Sequence, residues 1–385
     1  MPAGTRILAA MTALTAPTGR LRSLDAFRGL AIAGMILVNN PGSWRDAWPW
    51  LKHAPWHGCT LADLVFPAFL LAVGVSVTLS VGKRLALRVA RGTILLQAVR
   101  RSAILFALGL LLGALPDHSL ATLRIPGVLQ RIALCYLAVV VIFLLTTWRG
   151  QVAVTASLLL GYWALLTLVS VPGFGAGVLT PEGNLAAYLD GKLLAGHRWA
   201  TTRTWDPEGV LSTVPAIAST LLGVLAGQWL RRAASPGAAA RGMLASGAVA
   251  LGLGGGWAVV FPLNKGIWTS SYALFAGGVG LLAFGVLAWL MDARGWTGWA
   301  MPLEVFGSNA LAAFVLSGGV TRALSVIQVH AADGRAVDLK TTLYRALFAP
   351  LGSPPVASLL WSVAYVLLWL GLMWLLYRKR IFIRL

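Results

Sequence analysis

Acidic charge is scarce in this chain of 385 residues: 12 Asp and Glu stand against 31 Lys and Arg, and charged residues together make up only 11%. Cysteine is scarcer still. Cys59 and Cys135 form no CxxC pair and lie in or beside apolar segments, which excludes a disulfide framework. The sequence has no His, Cys and carboxylate cluster at metal-ligand spacing, no P-loop, no GxSxG elbow and no dinucleotide fingerprint in a strand-to-helix setting, so no metal is expected. It also has no evident internal repeat, which weighs against a secondary transporter built from two related halves.

Apolar residues make up 58% of the chain, and their runs repeatedly reach the roughly 20 residues needed to cross a bilayer. Glycine is frequent inside these runs and no two-residue alternation marks them, which predicts an all-α polytopic transmembrane bundle rather than a barrel. About ten spanning helices are expected, beginning near Phe27, Leu61, Ala98, Gly127, Val152, Val210, Met243, Trp268, Leu303 and Val356. Residues 1–19 read as a disordered leader that is not cleaved, and 20–385 as a single transmembrane domain.

The net charge of +19 does not point to nucleic acid, because the basic residues recur between apolar segments instead of forming one face. Placing the N-terminus inside puts roughly three fifths of all Lys and Arg in inside segments, including Arg20, Arg22 and Arg28, Lys83 to Arg101, and Arg378 to Arg384. Both termini are therefore expected in the cytoplasm. Two long segments, Val171–Glu208 and Thr321–Pro355, then fall outside and join the loop around His53 in one polar surface.

Four polar groups carry candidate chemistry. His53, within the Trp-rich loop Asn39 to Gly58, belongs to the residue type able to take or pass a proton, and Asn39 is its candidate orienting amide; the plainer reading is a solvated histidine in an interfacial aromatic belt. Arg22, Asp25 and Arg28 open the first helix, either as a grip for phosphates or as an ordinary positive-inside anchor. Arg124, Gln130 and Arg131 lead into the fourth helix, where an arginine one turn deep is either functional or salt-bridged to Asp25, Asp63 or Glu304. Asp63 is itself a helix-start charge or a site carboxylate. Asp206 and Glu208 precede the sixth helix as acceptor-binding carboxylates or as a helix cap. Asn264 and Lys265 with Ser271 and Tyr272 make a further outer polar group, and Asn309 is a membrane amide that serves as helix glue or as a ligand.

Several ordered motifs carry a family resemblance: Arg20-Leu-Arg-Ser-Leu-Asp-Ala-Phe-Arg28-Gly29, Lys52-His53-Ala-Pro-Trp56, Leu61-Ala-Asp63-Leu-Val-Phe-Pro67, Arg124-Ile-Pro-Gly-Val-Leu-Gln-Arg131, Asp206-Pro-Glu-Gly209 and Asn264-Lys265. From about Arg20 to Arg380 the chain resembles the heparan-alpha-glucosaminide N-acetyltransferase family, whose bacterial members sit in the inner membrane. The resemblance implies acetyl transfer from cytoplasmic acetyl-CoA across the membrane to the amine of a glucosamine-type sugar at the periplasmic face. It implies His53 and Asn39 as the catalytic pair. Arg22, Asp25, Arg28, Arg124, Gln130 and Arg131 are then the CoA-binding candidates. Asp63, Asp206, Glu208, Asn264, Lys265, Ser271, Tyr272 and Asn309 are the acceptor-binding candidates. His57 and Ser317 depart from the residues of lysosomal relatives, and extra residues separate Asn39 from His53, so the acceptor pocket is expected to differ. Expected partners are CoA, a glycan or amino-sugar acceptor and membrane lipids, with self-association left open. Two alternatives remain at this point: O-acylation of an envelope glycan, and transport of a sugar or lipid-linked sugar.

Overall fold

The computed structural model describes residues 21–115, 119, 121–330 and 336–383. The leader expected over residues 1–19, and Arg20 with it, lies outside the described residues. Among those described, the helices are α1 Arg22–Asn39, α2 Leu61–Ala86, α3 Arg91–Ala114, α4 Val128–Leu145, α5 Trp148–Leu168, α6 Leu185–Leu193, α7 Thr213–Arg232, α8 Pro236–Trp257 and α9 Ser270–Leu287, followed by α10 Met301–Ser308, α11 Ala310–Val326, α12 Leu339–Leu347 and α13 Pro354–Arg378. One short antiparallel hairpin, β1 Gln328–His330 and β2 Ala336–Asp338, precedes α12.

The all-α bundle is borne out, but the count of about ten spans is not. Among the described residues seven helices are long and apolar enough to cross a membrane: α2, α3, α4, α5, α7, α9 extended through a π turn to Ala293, and α13. An eighth span is counted if α10 and α11, bent by 68° at Asn309, are taken as one. α1 and α8 stand where spans were expected but fall outside that set. α1 carries Arg22, Asp25 and Arg28 within 18 residues, and α8 is rich in Gly and Ala rather than in large apolar side chains.

Close helix crossings depend on missing side chains. A Cβ on Gly29 would lie 1.8 Å from the Leu303 carbonyl oxygen, and one on Gly307 would lie 1.8 Å from that of Asp25, so α1 and α10 touch backbone to backbone. α2 and α7 meet in the same way at Gly74 and Gly223. Between the helices, Phe66, Trp268, Tyr272, Val305, Phe306 and Trp369 belong to one buried apolar cluster, and Phe27, Leu71, Met243 and Phe284 to a second.

Contacts between the connecting segments mark two groups of loops. At one end the loop after α1 meets those after α5 and α8: Trp56 Nε1 donates to Leu179 O at 2.7 Å and Gly58 N to Leu263 O at 2.8 Å. At the other end, α1, α10 and the residues after α9 and α13 meet around Arg22.

Candidate active site

His53 is held by the start of α2. Thr60 N-caps that helix and Asp63, its third residue, completes a capping box, with Asp63 Oδ2 accepting from Thr60 N at 2.9 Å and from Thr60 Oγ1 at 3.0 Å. The same oxygen accepts from Ala54 N at 3.1 Å, while Oδ1 lies 2.7 Å from His53 Nδ1. Asp63 is fully buried and the His53 side chain is 39% exposed, so the carboxylate is fixed and the ring faces outward. An Asp63 carboxylate that accepts from Nδ1–H leaves the Nε2 lone pair free to take a proton.

Pro67 contributes a second support. Proline has no N–H to give the carbonyl four residues earlier, which here is that of Asp63. The Tyr272 hydroxyl donates to that carbonyl at 2.5 Å and so ties α9 to α2 directly beneath His53. Tyr272 and Ser271, expected to bind an acceptor, are fully buried, and their hydroxyls are spent on backbone oxygens; the Ser271 bond, to Phe261 O, is also 2.5 Å. Both are braces for the site.

Lys265 comes to His53 from the loop between α8 and α9. Its Nζ lies 3.0 Å from Nε2 and 3.1 Å from Nδ1, and it forms no ion pair with a carboxylate among the described residues. Burial pushes the Lys265 ammonium below its ordinary pKa, a shift that the charges of Glu208 and Asp63 partly offset. Asn264 shapes the loop by accepting from Ile267 N at 3.0 Å and donating its backbone N–H to Thr269 Oγ1 at 3.1 Å, and its Nδ2 lies 3.4 Å from His57 Nδ1. Burial also lowers the pKa of His57. Cys59, beside the site, is no nucleophile at neutral pH: burial and the Asp63 charge push its thiol up to about 12.

A charged cluster lies next to this group. Arg124 forks onto Asp206, with Nε to Oδ2 at 2.9 Å and Nη2 to Oδ1 at 2.5 Å, and also reaches Glu208 Oε2 at 2.6 Å. Burial opposes the Arg124 charge, but the two carboxylates outweigh it and raise its pKa. Trp205, which precedes this acidic turn, packs edge-on against Trp56 at 5.0 Å between centroids, and so joins the turn to the His53 loop. Arg124 was expected with the CoA-binding arginines of α1; the structure puts it at the His53 end instead.

Asp190, on α6, drew no attention in the sequence. It is buried and accepts from Asp206 N at 3.1 Å and Val210 N at 2.9 Å, and a Cβ on Gly209 would fall 2.1 Å from its Oδ2. Burial raises its pKa to about 6, with the neighbouring Asp206 charge adding and the two N–H donors opposing. A carboxyl whose folded pKa exceeds its unfolded value of about 3.9 stabilises most while protonated. Its contribution should therefore be complete below pH 4 and fall away as pH rises through 6. Unfolding measured across that window should show this slope in the wild type and lose it in Asp190→Asn.

Arg131 is buried, with 1% exposure, and touches none of Asp25, Asp63 or Glu304. Its Nη2 donates to Ser212 Oγ at 2.5 Å and Gly209 O at 3.3 Å, its guanidinium lies 5.1 Å above the Trp268 ring, and Nε and Nη1 have no hydrogen-bond partner among the described residues. Trp268, also fully buried, has a left-handed backbone with φ of 52°, a conformation costing about 1–3 kcal/mol in a residue other than glycine. Gln130 is buried in a notch left by Gly109 and Gly127, where either Cβ would strike its amide.

A sequence profile described as heparan-alpha-glucosaminide N-acetyltransferase, catalytic, matches residues 20–253. The chain belongs to this family. It is 30% identical over 363 residues to the Homo sapiens protein named heparan-alpha-glucosaminide N-acetyltransferase and 29% identical over 357 residues to that of Mus musculus, covering 78% and 77% of this chain. The chain spans about half the length of these curated relatives, 53% of each. The heparan-alpha-glucosaminide N-acetyltransferase profile encloses His53, Asp63, Arg124, Arg131, Asp190, Asp206 and Glu208, while Asn264 and Lys265 lie beyond residue 253.

The remaining family-motif residues lie apart from His53. Asn39 ends α1 at the His53 end, but it is exposed and has no hydrogen bond to His53 among the described residues. Its neighbour Asn40 is the buried amide, accepting from Thr321 Oγ1 at 2.5 Å. At the opposite end, Arg22 Nε pairs with Glu304 Oε1 at 2.9 Å, Arg28 Nη2 pairs with Asp25, and the Ser23 hydroxyl donates to Asp292. Asn309 is also at that end. Both sides of its amide are taken by the tail, through Ile381 O at 3.0 Å and Ile383 N at 2.8 Å, which makes it a clamp on the α10–α11 bend.

Proposed function

We propose that the protein is a transmembrane acetyltransferase that moves acetyl from acetyl-CoA to the amine of a glucosamine-type sugar. The donor enters at the cytoplasmic Arg22–Arg28 end and the acceptor at the periplasmic His53 end. The observation that carries this reading is the outward-facing imidazole of His53, whose Nδ1 is fixed by a buried carboxylate at 2.7 Å in a chain of this family.

In this reading Nε2 of His53 removes a proton from the acceptor ammonium, and the freed amine attacks the acetyl carbonyl carbon. A C–N bond forms, the C–S bond breaks, the imidazolium returns its proton to the CoA thiolate, and the second ammonium proton passes to solvent. Asp63 keeps the ring in the required tautomer and stabilises the imidazolium. Asn39 and Gln130 are assigned to the thioester end of the donor. Asp206 and Glu208 are already engaged by Arg124, so in this scheme they shape the acceptor loop, and Trp56 and Trp205 offer aromatic surface to a sugar ring.

The Arg22 end suits a phosphate-bearing donor. Arg28 Nε is buried with no hydrogen-bond partner among the described residues. A cavity of about 640 Å³ nearby is lined by Arg378, Arg380, Trp374, Tyr377, Phe382 and Met301, the residue that starts α10. Arg28→Ala should raise the acetyl-CoA dissociation constant about tenfold, the worth of one charge-assisted contact at 1.4 kcal/mol. Calorimetric titration of the purified variant checks this, and an unchanged affinity removes Arg28 from the donor site.

The deciding experiment measures CoA release by purified protein given acetyl-CoA, with and without glucosamine or chitosan oligomers. Release that requires the amine establishes N-acetylation. Acetyl-CoA binding without amine-dependent release turns the search to hydroxyl acceptors, and the absence of binding revives transport.

A further inference from the structure

Lys265 brings a primary amine against the ring that would serve the acceptor amine. Its Nζ lies 3.0 Å from His53 Nε2, the ring nitrogen left open once Asp63 holds Nδ1, and 3.1 Å from Nδ1, so it rests beside the ring and reaches the Nε2 lone pair by turning its flexible side chain. The loop that carries it is stiff: Asn264 is fully buried and closes the turn through Ile267 N and Thr269 Oγ1, and Trp268 N donates to Lys265 O at 3.2 Å. No carboxylate pairs with the ammonium among the described residues, so nothing other than the histidine fixes its proton. Burial, as noted above, favours its neutral, nucleophilic form.

The geometry points to Lys265 as an internal acetyl acceptor, modified by the protein's own His53-dependent chemistry when donor is bound and the sugar amine is absent. The inference rests on the acetyltransferase reading above. The step balances: Nε2 takes a proton from the Lys265 ammonium, and Nζ attacks the thioester carbonyl carbon. A C–N bond forms and the C–S bond breaks. The imidazolium protonates the leaving thiolate, and the second ammonium proton passes to solvent. The products are N-acetyl-lysine, free CoA and one proton. The amide no longer carries a cation, so Lys265 loses its charge beside Asp63 and Glu208 after a single turnover.

The test incubates purified wild-type protein with acetyl-CoA alone, with acetyl-CoA plus chitosan oligomers, and as His53→Ala with acetyl-CoA, and maps acetyl-lysine by peptide mass spectrometry. The expected result is one acetyl on the Lys265 peptide in the first sample, several-fold less with the competing sugar, and none in the variant. The exposed Lys83 and Lys379 serve as internal controls for uncatalysed acetylation in every sample. This comparison within the wild type stands even if the variant does not fold. Acetyl spread equally over Lys83, Lys379 and Lys265 overturns the inference. Sugar acetylation with an unmodified Lys265 also overturns it while leaving the enzyme reading intact. Neither sugar nor lysine acetylation, despite acetyl-CoA binding, overturns both.

Discussion

His53→Ala is expected to lower amine-dependent CoA release by about 10²–10⁴-fold, the range that a positioned acid–base group supplies. The loss should appear in kcat, because the imidazole acts on the proton in transit and makes no contact with the distant Arg22 end. Acetyl-CoA affinity should remain within a factor of two or so of wild type, well under the tenfold that 1.4 kcal/mol would bring. His53 is also separable from the fold. Its ring is 39% exposed, whereas Asp63 keeps three other donors, from Thr60 N, Thr60 Oγ1 and Ala54 N, after the ring is gone. Thermal unfolding of the variant should therefore stay close to that of the parent. Asp63→Asn provides the companion measurement. An amide nitrogen facing Nδ1 favours the opposite tautomer and places N–H on Nε2, so activity should drop while most of the helix cap survives. Wild-type rates in His53→Ala would remove the histidine from the chemistry.

The bundle was legible because apolar length is read directly from composition, and each of the ten expected starts lies in a helix or, at Gly127, Val210 and Trp268, just ahead of one. Helix starts were less legible where basic residues precede the apolar run. Arg91 and Arg241 lie inside α3 and α8, since helical backbone hydrogen bonding continues past the apolar stretch into a basic border that hydropathy reads as loop. α1 shows the reverse problem, a helix of spanning length whose charged first turns are held by partners that only the fold supplies. At the site, the cap at Thr60 and Asp63 was visible as a local pattern, but its second use, holding His53, depends on a loop folding back over ten residues. Lys265 reaches the ring from 212 positions away and Asp206 reaches Arg124 from 82, separations at which one sequence carries no pairing signal. Asp190 left no local trace at all. Its only hint was Gly209, the residue whose missing side chain makes room for the carboxylate.

The second large effect is expected at Arg124. Its Ala variant leaves Asp206, fully buried, and Glu208, 8% exposed, without their shared cation. Removing one partner of a buried pair costs about 3–5 kcal/mol, and the partial exposure of Arg124 puts this site near the lower figure. Asp206 retains hydrogen bonds from Trp199 N at 2.8 Å and Glu208 N at 2.9 Å, which hold the turn but do not neutralise two adjacent negative charges. The loss should therefore depend on pH in a defined direction. In the variant two adjacent buried carboxylates repel each other without a shared cation, so the deficit should be largest near neutrality, where both carry charge, and smaller in acid. Arg124→Lys should recover less than half of the loss, because an ammonium cannot reproduce the fork across Asp206 while also reaching Glu208. Thermal unfolding of detergent-solubilised wild type, Arg124→Ala and Arg124→Lys at pH 5 and pH 7.5 measures these differences. A pH-independent loss would mean that packing against the Trp199 ring, 5.3 Å from the guanidinium carbon, outweighs the ion pair. Activity should fall along with stability in Arg124→Ala, since the turn that Arg124 pins carries Trp205 against Trp56, two residues before the candidate loop ends at Gly58. An unaltered rate in a destabilised variant would separate the acidic turn from acceptor binding.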